Sequence, residues 1–247
     1  MKKILFSLVF FITSLLSNEL QEAIDNASEG SIITLSKGEY HGNIVINKAL
    51  VIDGIDKKAK IIGDGKGSVI SIKKSNVVIK NLSIENSGFS VEKIDSAIHA
   101  KEVNNITIEN NHISDSLFGI NFEQVNRSKI VDNFITSKDL ELGIRGDGIR
   151  LWNSHDNQLF ANRLYKSRDF VLWYSSGNNI ENNYGSYNRY SLHFMYAGRN
   201  MVRNNFFEYN SVGIFFMYSS GTIAIGNTVK NSLGAFGVWI GMKDSSD

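Results

Sequence analysis

The stretch ITIENNHI (106–113) returns along the chain with changed side chains and one shared core, as KIVDNFI (129–135), QLFANRL (158–164), NIENNYG (179–185), NMVRNNF (200–206) and IAIGNTV (223–229). Each copy carries an apolar-x-x-Asn pattern. The asparagines concerned, Asn111, Asn133, Asn162, Asn183, Asn204 and Asn227, are separated by 22, 29, 21, 21 and 23 residues. Self-similarity at such a period marks stacked repeats, each too small to bury its own apolar face alone.

Roughly ten residues after each core comes a second β-like run: SAIHA, FGINF, DGIRLW, DFVLWY, YSLHFMY, VGIFFMY and FGVWIGM. Two short strands per repeat, joined by turns rich in Asn, Gly and Ser with no helical periodicity between them, exclude alternating strand–helix units. The prediction is an all-β chain, a right-handed parallel β-helix with one coil of about 22 residues per repeat. A β-sandwich with irregular strands is the alternative, and the regular asparagine steps argue against it. Asn at a fixed turn position is expected to take the left-handed conformation and to bond the copies above and below in a ladder. The 29-residue step places an insertion at SKDLELGIRGDG (Ser137–Gly148), a loop bulging from the solenoid where function is often carried.

At the N-terminus, MKKILFSLVFFITSLLSNEL has two lysines, an apolar run from Ile4 to Leu16 and the small residue Ser17. That is the layout of a secretory signal peptide over residues 1–17, with an uncleaved anchor as the alternative; either way the β-helix domain, 18–247, is exported. Next, LQEAIDNA (20–27) spaces Leu20, Ala23, Ile24 and Ala27 as a helix would, a cap for the first coil. At the other end GVWIGMKDSSD (237–247) stops within a coil. An open apolar cross-section is expected there, as in a chain truncated at that end or one covered by a partner.

With 26 basic and 25 acidic residues the chain lacks the electrostatic footprint of nucleic-acid binding. It has no cysteine, so soft metal ligation falls to methionine sulfur and histidine nitrogen.

Strand alternation sorts the second run into two columns. The inward column reads Ile98, Ile120, Ile149, Val171, Leu192, Ile214 and Val238, with Ala100, Phe122, Leu151, Trp173, Phe194, Phe216 and Ile240 two positions on. Facing out are His99, Asn121, Arg150, Leu172, His193, Phe215 and Trp239, with Lys101, Glu123, Trp152, Tyr174, Met195, Met217 and Gly241. The outward column starts polar and turns aromatic and thioether-rich from Trp152 onward. Three readings compete for it: core covered by other segments, a docking patch through Trp152, Tyr174, Phe215 and Trp239, or a soft site of His193, Met195 and Met217 suited to Cu(I). Carbohydrate chemistry is the alternative class, for a carbohydrate-binding or carbohydrate-active β-helix. It would use Asp147 in RGDG and Asp169 in SRDF with Arg145, Arg150 and Arg168, although Asp147 stands at a turn where Asp commonly serves local hydrogen bonding.

The ordered series GDGIRLWNS (146–154), SRDFVLWYSS (167–176), NRYSLHFMYA (188–197), NSVGIFFMYSS (210–220) and GAFGVWIGMKDSSD (234–247) resembles the NosD family of periplasmic nitrous-oxide reductase maturation proteins, as does the opening LQEAIDNASEGSIITLSKGEYHGNIVINKALVIDG. The resemblance implies a periplasmic, non-enzymatic β-helix that handles Cu(I) or docks partners. Those partners would be the membrane and ATPase subunits of an ABC transporter, a copper-delivering lipoprotein and the reductase itself. It also favours His193, Met195 and Met217 as transient copper ligands.

Overall fold

The computed structural model describes residues 9–12, 19–234, 237 and 239–246, and it is a parallel β-helix. Three parallel sheets run its length: a first sheet of ten strands, a second and a third of nine each. Each full coil contributes one strand to each sheet, for example Thr107–Glu109, His112–Ser116 and Phe118–Glu123. The sequence reading expected two strands per repeat. The first two strands merge in the sequence because the bend between them is only two residues long and, in all of the six recurring copies but Gly226-Asn227, contains no Gly or Pro.

That bend divides its work between consecutive residues. The first residue is left-handed, as at Asn110, Asp132, Ala161, Asn182 and Asn204, with φ between 52° and 55°. The second is buried and turns its amide under the bend, where backbone groups have left the sheet ladder. Asn162 Nδ2 donates to Asn183 Oδ1 at 3.0 Å and to the Ile130 carbonyl at 2.8 Å. Its Oδ1 accepts from the Asn133 backbone N–H at 3.1 Å and from Asn133 Nδ2 at 3.0 Å. The ladder is Asn111, Asn133, Asn162, Asn183, Asn205 and Asn227. Asn205 therefore replaces Asn204 in the expected series, and the left-handed conformation belongs to the residue before each ladder asparagine. Asn157, Asn178 and Asn200 form a second ladder at the corner between the third and first sheets.

The interior is a stack of Ile, Leu, Val and Phe, continuous from Ile24 of the helix to Phe216. Each such side chain withdrawn from water contributes about 1.5–3 kcal/mol against the entropy of ordering the coil. Glu19–Asn26 is the expected helix; Leu20 and Ile24 are buried against the first coil. Of residues 1–17 only Val9–Ile12 is described, as a strand beside Ile32–Leu35. Ser17 and Val238 lie outside the described residues. Among the described residues no helix is long and apolar enough to cross a membrane.

Two offsets from the expected register rearrange the outward column. The strand Asp169–Trp173 pairs without interruption with the coil before it, Phe170 beside Ile149, Val171 beside Arg150, Leu172 beside Leu151 and Trp173 beside Trp152. Toward the next coil the register shifts once between Asp169 and Val171, so that Val171 lies beside His193, Leu172 beside Phe194 and Trp173 beside Met195. Leu172 is fully buried and Trp173 only partly so, the reverse of the expected assignment. Alternation holds within the strand, and it is the register that differs: Phe170, not Val171, continues the inward row of Ile149, and a one-residue slip moves every side chain to the other face. Tyr174 is then no member of the column: it opens the next corner at φ 50° and stacks on Tyr196, which stacks on Tyr218. In the last described coil, Ile240 pairs with Ile214, Gly241 with Phe215, Met242 with Phe216 and Lys243 with Met217. Trp239 precedes that strand and is exposed, as are Ile240 and Met242.

Candidate functional site

Two long loops, residues 86–95 and 138–148, leave the solenoid at the corner between the second and third sheets. The second is the insertion expected from the 29-residue step. The first was not recognised in the sequence. Lys138 joins the corner together, with its Nζ 3.3 Å from Asp115 Oδ1 and 4.3 Å from the centre of the Phe89 ring. Later coils close the same corner tightly, over residues 166–168 and 187–189. This difference in loop length leaves a cleft of about 230 Å³, bounded by Val91 and Ile94 of the first loop and by Asp147, Arg168, Asp169 and His193.

Successive coils deliver these charged groups to one place. Asp147 ends the long loop; Arg168 and Asp169 occupy the corner of the next coil, and Arg189 and Tyr190 that of the one after. Asp169 is only 2% exposed. Arg189 grips it with both arms of its guanidinium, Nε lying 2.9 Å from Oδ1 and the second nitrogen on Oδ2. The Tyr190 backbone N–H donates to Oδ1 at 3.2 Å. His193 Nδ1 stands 3.7 Å from Asp169 Oδ2, in ion-pair range but beyond a hydrogen bond. The His193 ring is itself stacked on Tyr190 at 4.3 Å and faced edge-on by Phe215 at 6.0 Å.

Asp147, 5% exposed, has no such support. Its nearest cation is Arg168, whose Nε is 3.6 Å from Oδ1. Both of those atoms are buried without a hydrogen-bond partner, as are the two ring nitrogens of His193. The two carboxyls therefore separate. Burial, reinforced by the charge of Asp169, pushes Asp147 up to about 7 against the opposing pull of Arg168, Arg150 and Arg189. Burial also acts to raise Asp169, but His193 and Arg189 beside it outweigh that effect and hold its carboxyl below the usual range. One carboxyl able to give a proton near neutrality beside one fixed as an anion is the arrangement of acid–base sites.

The outward column of the third sheet leads away from this cleft. In register it reads Glu123, Trp152, Trp173, Met195, Met217 and Lys243. Trp152 stacks on Trp173 at 5.3 Å, and Arg150 lies over the Trp152 ring at 5.1 Å. Met195 and Met217 are direct neighbours and partly exposed. His193, although on the outward face, is buried, with Tyr190, Phe215 and Asp169 around its ring. Among the described residues no group of three His, Cys, Asp or Glu side chains is placed to hold a metal. Of the aromatic residues expected to form a docking patch, Trp152 and Phe215 lie on this face, while Tyr174 belongs to the tyrosine stack at the next corner and Trp239 to the segment before the last strand. Arg189 went unnoticed in the sequence. Its signal was available, because Asn188-Arg189 repeats Ser167-Arg168 one coil later.

Fold and corner cleft place the chain among parallel β-helix proteins with a charged site built at a coil corner. Over part of its length it is similar to one family: the family model described as "Periplasmic copper-binding protein (NosD)" matches residues 135–247, the part that carries both carboxylates and the methionine pair. A cell surface glycoprotein of Methanothermus fervidus is 32% identical over 106 residues, 42% of this chain and 17% of that protein, so the chain spans about a sixth of its length. Among solved structures, the family 28 exopolygalacturonase of Yersinia enterocolitica superposes with a TM-score of 0.76 at 12% identity, covering 94% of this chain and 58% of the enzyme. An alginate lyase from Paenibacillus superposes at 0.69 with 14% identity, covering 96% and 99%. At such identities the likeness is one of fold. It corrects the expectation of a non-enzymatic chain: the solved structures that share this fold include carbohydrate-active enzymes, among them the lyase and the exopolygalacturonase, and nothing in the architecture sets catalysis aside.

Proposed function

We propose that the chain is a periplasmic copper-handling accessory protein that holds Cu(I) transiently at Met195 and Met217 during maturation of nitrous-oxide reductase. The ABC transporter subunits, the copper-delivering lipoprotein and the reductase are its proposed partners. The NosD match over residues 135–247 supports the reading, because it spans the coils that set these two methionines side by side. Two thioethers on neighbouring strands form a soft donor pair of the kind Cu(I) favours over harder cations. His193 would join them only by turning its ring away from Tyr190 and Asp169. Anaerobic competition against a Cu(I) chelator tests the proposal. The Met195→Ala/Met217→Ala double variant is expected to bind on the order of ten-fold more weakly than wild type, and equal affinities would remove the site.

A second reading is favoured by the buried carboxyl pair at the loop corner: a carbohydrate-directed cleft around Asp147 and Asp169. The solved structures that share the fold include one named for alginate and one for polygalacturonate, both acidic polysaccharides. A panel of soluble oligosaccharides titrated against the chain tests this reading. Binding weakened by Asp147→Asn is expected, and no binding of any saccharide would end it.

A further inference from the structure

The corner cleft holds more positive charge than its carboxylates use. Asp169 is fully engaged by Arg189 and the Tyr190 N–H. Among the described residues Arg168 has only Asp147 within ion-pair range, and its Nε has no hydrogen-bond partner. Arg150, also on the cleft wall, donates to Asn121 Oδ1 at 2.8 Å and lies over the Trp152 ring. Buried polar atoms without partners are costly, so Asp147 Oδ1, Arg168 Nε and the His193 ring nitrogens together are poorly accounted for by the folded chain alone. All four atoms belong to residues lining one cleft. A ligand carrying an anionic group and neighbouring hydroxyls would satisfy them, the anion on the guanidinium and the hydroxyls on the carboxyl and imidazole. Trp173 adds a flat wall on the same cleft, braced by its stack on Trp152. Such a surface suits the C–H face of a pyranose ring. With a volume of about 230 Å³ the cleft takes a single sugar unit and not a longer stretch of chain.

We propose that this cleft is a subsite for one carboxylated sugar unit, a uronate, whose carboxylate is received by Arg168 and Arg150 and whose ring lies against Trp173. The inference rests on the carbohydrate reading of the cleft and narrows it to a substrate class.

Calorimetric titration of the full chain with trigalacturonate and a mannuronate trimer, with maltotriose as the neutral control, tests the assignment. At least one acidic trimer is expected to bind on the order of ten-fold more tightly than maltotriose, with the preference lost in Arg168→Gln. Circular dichroism verifies the variant's fold, and if it fails to fold, Arg168→Lys serves instead, with the preference expected to be reduced. Equal binding of acidic and neutral trimers, or a preference unchanged in the variant, would overturn the uronate assignment while leaving a carbohydrate cleft. Absence of binding by all three would overturn both.

Discussion

Replacing Asn205 by alanine is expected to lower the stability of the chain by about 3–5 kcal/mol, whereas the same change at Asn204 costs about 1 kcal/mol. Asn205 Oδ1 accepts from the Asn183 N–H at 2.9 Å and from Asn183 Nδ2 at 3.0 Å, while its own Nδ2 reaches the Ile180 carbonyl at 2.9 Å and Asn227 Oδ1 at 2.9 Å. Alanine takes from the Asn183 backbone N–H and the Ile180 carbonyl their side-chain partner, while Asn183 Nδ2 keeps the Leu159 and Glu181 carbonyls at 2.9 and 3.1 Å. Asn204 is exposed, and its contribution is to tolerate a φ of 52° better than alanine does. Urea unfolding followed by tryptophan fluorescence measures both. Similar losses at the two positions would contradict the division of labour within the bend.

Asp147→Asn is expected to stabilise the protein above neutral pH, with a gain that shrinks as the pH falls and is small near pH 4. The folded chain retains the Asp147 proton up to about pH 7, while an unfolded aspartate releases it near 3.9. Between those values the folded state binds the extra proton. Its contribution is therefore complete below about pH 3.9 and is lost as the pH rises through about 7. At pH 8 the buried anion costs at most about 4 kcal/mol, some 1.4 kcal/mol for each unit of displacement. Asparagine keeps a neutral group of the same shape and should remove most of that cost. Thermal unfolding of wild type and variant at pH 4 and pH 8 checks the sign: a gain at pH 8 that largely vanishes at pH 4 is expected. A loss at both would mean that the ionised form is needed for folding.

Much of the architecture was legible because a coil repeats its own chemistry. The recurrence of apolar-x-x-Asn and the apolar strands that follow it specify stacked parallel coils, and Leu20, Ile24 and Ala27 specify the helix that closes the first of them. What was misread depends on single-residue offsets. Asn204 and Asn205 are adjacent, and no period measured by eye distinguishes the residue that bends the chain from the one that bonds beneath it. Parity likewise carried Val171 inward and Leu172 outward, because Val171 was aligned with Ile149; the strand pairs one residue earlier, Phe170 beside Ile149, which sets Leu172 inward and Trp173 beside Trp152. The candidate site was half visible. Asp147, Asp169, Arg150 and Arg168 were readable as neighbours on adjacent coils. Their burial was not, because it depends on the loop at residues 86–95, which sets Val91 and Ile94 at the mouth of the cleft and lies outside the recurring motif. His193 was read as one of a column of outward residues. The structure gives it an aspartate and two aromatic rings as neighbours instead, a consequence of Tyr190 and Phe215 flanking it.

X-ray absorption at the copper edge of the Cu(I)-loaded chain tests most directly whether the in-register methionines are a copper site. Sulfur scatterers bound to copper in the wild type, and lost in Met195→Ala/Met217→Ala, are the predicted result. Copper held by nitrogen and oxygen alone, or a sulfur signal unchanged in the double variant, would contradict it.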